Sequence, residues 1–294
     1  MNDKKNAIIP VAMIVAAVVG LAAMGLAFNL SCPIGAWLHP GGNYCFKTQL
    51  CWLGIGFAAA TCVAAVGWRR IGKIVPWIVA ALIGWCAFSG VRAGNGGLRN
   101  EERQWVQHQF CGAMAAADWC AGKDVSVRYV PQGMSGGAIA SSALMYGKWF
   151  PATTIILLSL LASGIAIAAF QTEDRVKRLL AVIVGIAVIG PAVYSLLACL
   201  GLAPYLRCMT VPLLSRGGGI IVSTLFMLGA IVAMVLDGND SDAWPLSKVQ
   251  VGGIMSVSFL AGAMLVALMA VAGGCGAAFN ENRPDMSISR AAWL

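Results

Sequence analysis

Long apolar runs alternate with short polar and basic turns along this chain. Seven of the runs are long enough to be membrane helices. They span approximately Ala7–Leu30, Leu50–Trp68, Ile74–Val91, Pro151–Phe170, Leu179–Leu202, Gly218–Leu236 and Val251–Gly274. A hydrocarbon core about 30 Å thick needs roughly 20 apolar residues per helix. None of the seven contains Asp, Glu, Lys, Arg or His. The pattern predicts an all-α integral membrane protein of about seven transmembrane helices, forming a single polytopic domain over residues 1–294. The first run follows Lys4 and Lys5, as the core of a signal peptide would. Its apolar stretch exceeds the usual 7–15 residues of such a core, so it is read as a retained helix.

The basic residues set an orientation. Arg69, Arg70 and Lys73 share one tight turn, and Arg175, Lys177 and Arg178 share another. Short loops rich in Lys and Arg stay on the cytoplasmic side. With Lys4 and Lys5, this predicts a cytoplasmic N-terminus and an extracytoplasmic C-terminus. The turn at Asp237–Lys248 falls inside, and its three aspartates count little. Trp52, Trp68, Trp77, Trp149 and Trp244 fall at predicted span ends, where an aromatic belt would place them.

Four segments then lie outside: 31–49, 92–150, 203–217 and 275–294. Only 92–150 is sizeable, and it is expected to cap the helix ends. Within it Val106, Phe110, Met114 and Ala117 recur at helical spacing. Val125, Val127 and Tyr129 alternate as a short extended segment would. Gly133, Gly136 and Gly137 mark a flexible stretch.

Composition narrows the class further. The chain is 59% hydrophobic and 11% charged, where soluble chains run about 45–50% and 25%. A soluble domain, a disordered chain, a coiled coil and a nucleic-acid-binding domain are all excluded. The net charge of +8 is dispersed over short loops, so it reads as topology and not as a phosphate-binding patch. The partners expected are the lipid bilayer and other membrane proteins, with no nucleic acid. The location expected is a bacterial inner membrane. The Asn-x-Ser match Asn29-Leu30-Ser31 sits too close to the bilayer to be glycosylated.

Ten cysteines fall in a pattern on this topology. Cys62 and Cys86 lie within spans. Cys32, Cys45, Cys51, Cys111, Cys120, Cys199, Cys208 and Cys275 lie outside or at an outer span end. An oxidising compartment would turn these eight into a disulfide framework clamping the cap. Sequence proximity pairs Cys111 with Cys120, and Cys199 with Cys208. One of Cys32, Cys45 and Cys51 would then reach Cys275.

Catalytic and cofactor constellations are sparse. A thiol oxidase would want a Cys-x-x-Cys pair, because close spacing lowers one thiol's pKa. The nearest candidates are Cys45 and Cys51, with Arg207 beside Cys208 as a charged neighbour. Only His39 and His108 could ligate haem, and neither lies in a span. Cys32, His39, Cys45 and Cys51 could be assembled into a zinc set only on paper. The last span has no lysine for a retinal Schiff base. Asp237, Asn239 and Ser241 start like a calcium loop, but Asp242 and Lys248 stand where Gly and Glu belong. No cofactor and no metal is therefore expected. Gly190-Pro191 in the fifth span would free backbone carbonyls.

Small residues at four-residue spacing let membrane helices approach closely. Gly56, Ala60 and Ala64 form such a row in span two, Gly164 and Ala168 in span four, and Ser258 and Gly262 in span seven. The function expected is a non-catalytic integral subunit of a larger membrane assembly, such as a secretion, conjugation or respiratory apparatus. The alternatives are a channel or transporter for a small solute, and a membrane thiol-disulfide oxidoreductase.

Overall fold

The structure, a computed structural model, describes residues 3–31, 44–74, 100–120, 137–172, 174–204, 211–215, 217–236 and 248–272, with a few positions between 77 and 84. Among the described residues there are helices and turns and no strand. In chain order the helices are α1 (Asp3–Ser31), α2 (Tyr44–Val66), α3 (Trp68–Ile71), α4 (Asn100–Ala116), α5 (Ala138–Tyr146), α6 (Trp149–Gln171), α7 (Arg175–Cys199), α8 (Gly218–Leu236) and α9 (Lys248–Ala272).

Among the described residues, five helices are long and apolar enough to cross a membrane: α1, α2, α6, α7 and α8. This corrects the expected seven. The run Ile74–Val91 lies mostly outside the described residues. The last run is helical as α9, but its described apolar stretch is Gly253–Ala267. The bulky exposed side chains suit a lipid environment. Val176, Leu179, Val182, Ile183 and Ile186 on α7, and Val257, Leu260 and Met264 on α9, are exposed.

Glycines set how closely the helices pack. A Cβ on Gly229 of α8 would lie 2.7 Å from the Ala60 Cα and 2.8 Å from its carbonyl oxygen, so the α2 and α8 backbones touch. A Cβ on Gly56 would meet Leu225 at 2.6 Å. Both numbers rise along the pair, so α2 and α8 run parallel. Gly20 faces Leu157, while Gly164 faces Ile14, Met13 and the Pro10 carbonyl, so α1 and α6 run antiparallel. Gly262 of α9 lies against Ser159 of α6.

These contacts sort the ends of the bundle. The start of α1, the end of α2 with α3, and the turn from α6 to α7 share one end. Arg70 and Lys73 and the Arg175–Arg178 turn are therefore on the same side. The second turn is well formed: the Val176 N–H donates to the Asp174 side chain at 2.9 Å, and Arg178 donates to the Thr172 carbonyl at 2.9 Å. Such an N-cap satisfies one of the orphan donors that open a helix. Gly67, with φ 79°, ends α2 before that side's basic residues. Trp68 is buried rather than facing lipid.

The other end carries α4 and α5. Val106, Phe110, Met114 and Ala117 are all buried beneath α4, as their spacing requires. The nine residues of α5 are almost wholly buried against α4, α6 and α7. The Lys148 and Trp149 N–H groups donate to the Asp118 and Trp119 carbonyls and tie α4 to the start of α6. Val125, Val127, Tyr129, Gly133 and Gly136 lie outside the described residues.

Candidate functional site

Polar side chains in an apolar bundle are costly unless they are hydrogen-bonded. Most here are bonded to their own helix. Thr154, Ser159, Ser163 and Thr172 each donate to the carbonyl four residues earlier. Two carboxamides behave differently. Asn29 closes α1 and Gln49 opens α2, and both are buried, at 3% and 2% exposure. The Asn29 Nδ2 donates to the Gly25 carbonyl at 2.8 Å. The Gln49 Nε2 donates to the Leu213 carbonyl at 2.9 Å, across the bundle. The oxygens Asn29 Oδ1 and Gln49 Oε1 are buried and accept no hydrogen bond from the described residues.

Leu213 belongs to a buried turn, Val211–Ser215, that leads into α8. Its φ is 65°, a left-handed conformation that costs a branched residue of order 1–3 kcal/mol. The turn is fastened by the Val211 N–H donating to the Ser215 hydroxyl at 2.9 Å. Gly25 makes the arrangement possible. A Cβ there would overlap the Leu213 carbonyl oxygen and come within 2.7 Å of Gln49 Nε2. The Gln49 carboxamide and the Leu213 carbonyl thus meet at Gly25, whose own carbonyl accepts from Asn29 one turn later, at the same bundle end as α4 and α5.

The cysteines do not form the expected clamp. Cys51, Cys62, Cys111, Cys120 and Cys199 are all free thiols. The pair Cys111–Cys120 is therefore corrected. Cys111 is partly buried on the inner side of α4, with its Sγ 3.1 Å from where a Gly201 Cβ would be, whereas Cys120 lies beyond the helix end and is exposed. Cys199 is buried at the end of α7, against the backbone of α5 at Ala140 and near the Cys111 thiol. The free Cys199 thiol likewise corrects its pairing with Cys208, and the free Cys51 thiol rules out its link to Cys275 and a Cys45–Cys51 couple. Cys32, Cys86, Cys208 and Cys275 lie outside the described residues, as does the Cys45 side chain, so a link from Cys32 or Cys45 to Cys275 does too. His39 also lies outside them.

Thiol reactivity should follow this placement. Burial pushes the Cys111 thiol above its ordinary value, partly opposed by a backbone hydrogen bond. A raised pKa leaves less thiolate at neutral pH, and the thiolate is the nucleophile. In folded protein, alkylation of Cys120 and Cys51 should be fast. Alkylation of Cys111 should be slow at neutral pH and still climb above pH 8.5, the usual thiol value of about 8.5. Cys199 should react only on unfolding. Timed labelling with peptide mass spectrometry checks the order, and early modification of Cys199 would contradict its burial.

The helix-packing residues are placed as follows. Gly56 and Ala60 lie on the α2 face against α8, and Gly262 on the α9 face against Ser159. Ala64 and Ser258 are partly buried. Gly164 and Ala168 are buried on α6, the former against α1. Pro191 lies inside α7, which continues through it, and Gly190 is exposed. The carboxamide cluster was not singled out from sequence. Its signal was present, since Asn29 interrupts an apolar run and Gln49 stands at the edge of one.

No family model, curated protein or solved structure matches the chain.

Proposed function

We propose that the chain is a non-catalytic integral subunit of a larger membrane assembly. The observation that supports this is the outer face of α2. One side of α2, with Gly56 and Ala60, is occupied by α8. The opposite side exposes Gly54, Ala58, Thr61, Cys62 and Ala65, and nothing lies within 4 Å of where a Gly54 Cβ would be. Bulky aliphatics cover the exposed face of α7. Membrane helices carry small residues where another helix approaches, because contact there depends on close packing. A second small face on one helix is therefore suited to a helix of a partner. In this reading the basic end of the bundle is cytoplasmic, with the N-terminus. The α4–α5 cap faces outward, and the membrane is a bacterial inner membrane.

Gentle purification from the native membrane, followed by native mass spectrometry, tests the reading. Stoichiometric partners should be retained by the wild type and lost from Ala58→Trp. Ile186→Trp, on the aliphatic face of α7, should retain them. A wild type that purifies alone, or an Ala58→Trp variant that keeps every partner, would refute it. A second reading, a channel or transporter for a small solute, draws on the two carboxamides inside the bundle. It requires solute flux into liposomes by the isolated chain.

A further inference from the structure

We propose that the Asn29–Gln49 cluster is a binding site for a desolvated monovalent alkali cation. Both unbonded groups there are acceptors, Asn29 Oδ1 and Gln49 Oε1. Each amide nitrogen donates one hydrogen bond, to the Gly25 and Leu213 carbonyls respectively. Buried acceptors require a donor or a positive charge. Beside Gln49 the Leu213 carbonyl adds an oxygen, which retains a second lone pair after accepting from Gln49.

The charge of the ligand follows from the donor set. Hard divalent cations are held by carboxylates, and the flanking spans Ala7–Leu30 and Leu50–Trp68 contain none. Neutral carboxamide and carbonyl oxygens suit a singly charged ion. Non-helical backbone at membrane depth is tolerated where it is buried in protein or lines a cavity, and unwound carbonyls there can coordinate Na⁺. The Val211–Ser215 turn is buried, non-helical backbone. Leu213 holds a left-handed conformation with its carbonyl turned onto α1 at Gly25, beside the Gln49 carboxamide. The site joins the end of α1, the start of α2 and the entry to α8, so an occupant would brace three helices at once.

The test compares thermal unfolding of the purified protein, with any bound partners, in NaCl, KCl, LiCl and choline chloride at equal ionic strength. A ligand bound only by the folded state raises the midpoint with its concentration. The midpoint should be several degrees higher in at least one alkali chloride than in choline. Gln49→Leu and Asn29→Leu should abolish the difference, and Gln49→Glu, which keeps the oxygen, should preserve or enlarge it. Ser141→Ala, at an unbonded hydroxyl on α5, should leave it unchanged. Equal midpoints in all four salts for the wild type would overturn the proposal, leaving the oxygens to water. So would an alkali effect that survives in both leucine variants. If Gln49→Leu does not fold, because it also removes the bond to Leu213, Asn29→Leu decides, since Asn29 bonds only within α1.

Discussion

Gly229→Ala should destabilise the bundle by about 1–3 kcal/mol, the usual cost of overpacking a tight interior, and should do so although alanine is the better helix former. The added methyl would sit 2.7 Å from the Ala60 Cα and 2.8 Å from its carbonyl oxygen. Neither is the end of a flexible side chain, so α8 must move away from α2 as a body. That movement loosens Gly56 against Leu225 along the same seam. Ala60→Gly should not rescue the variant, because the obstruction is backbone and only the Ala60 Cβ, at 3.0 Å, would be removed. Gly219→Ala, in the same helix with nothing within 4 Å, is the control. It should be neutral or gain up to about 1 kcal/mol from helix propensity. Thermal midpoints of the three variants in one detergent check the set. A Gly229→Ala midpoint matching that of Gly219→Ala would mean the two backbones are not in contact.

The spans were legible because bilayer thickness and helical rise leave little freedom once an apolar run reaches about 20 residues. The runs at Pro151–Phe170, Leu179–Leu202 and Gly218–Leu236 correspond to α6, α7 and α8 within a few residues. The start of α7 moved to Arg175, since Asp174 caps it and draws the basic turn into the helix. The beginning of α2 moved back to Tyr44 because polar residues ahead of an apolar run can still be helical. Short elements were not legible. Nine residues of α5 are too few for a span and, after a glycine-rich stretch, read as loop. Only the cover supplied by α4, α6 and α7 makes them a helix.

The cysteine framework failed for a different reason. Pairing by sequence proximity assumes that neighbours in the chain are neighbours in space. Cys111 and Cys120 are separated by the end of α4, so one thiol turns inward and the other outward. The long-range neighbour of Cys111 is the end of α7, which no spacing rule could supply. The carboxamide cluster was hidden in the same way. Asn29 and Gln49 are conspicuous once both are buried, but their meeting depends on Leu213, 164 residues beyond Gln49.

Gly25→Ala should be the most damaging single methyl group among the described glycines. Its Cβ would overlap the Leu213 carbonyl oxygen and crowd Gln49 Nε2 at 2.7 Å. Two costs then combine. Overpacking accounts for about 1–3 kcal/mol. Displacing the carbonyl breaks the 2.9 Å bond from Gln49 and strands a buried donor, for about 1–3 kcal/mol more. A total of about 2–6 kcal/mol is a large share of the 5–15 kcal/mol that holds a domain together. Within the Val211–Ser215 turn, Leu213 already holds a left-handed conformation and the Ser215 hydroxyl accepts from the Val211 N–H, so moving the carbonyl disturbs both. Gln49→Leu removes the bond without the collision, so it should cost less than Gly25→Ala. Folded yield and thermal midpoint of the two variants, measured side by side, decide the matter. If Gly25→Ala is the milder of the two, the close approach of α1 to the turn is wrong, and the oxygen cluster built on it is wrong as well.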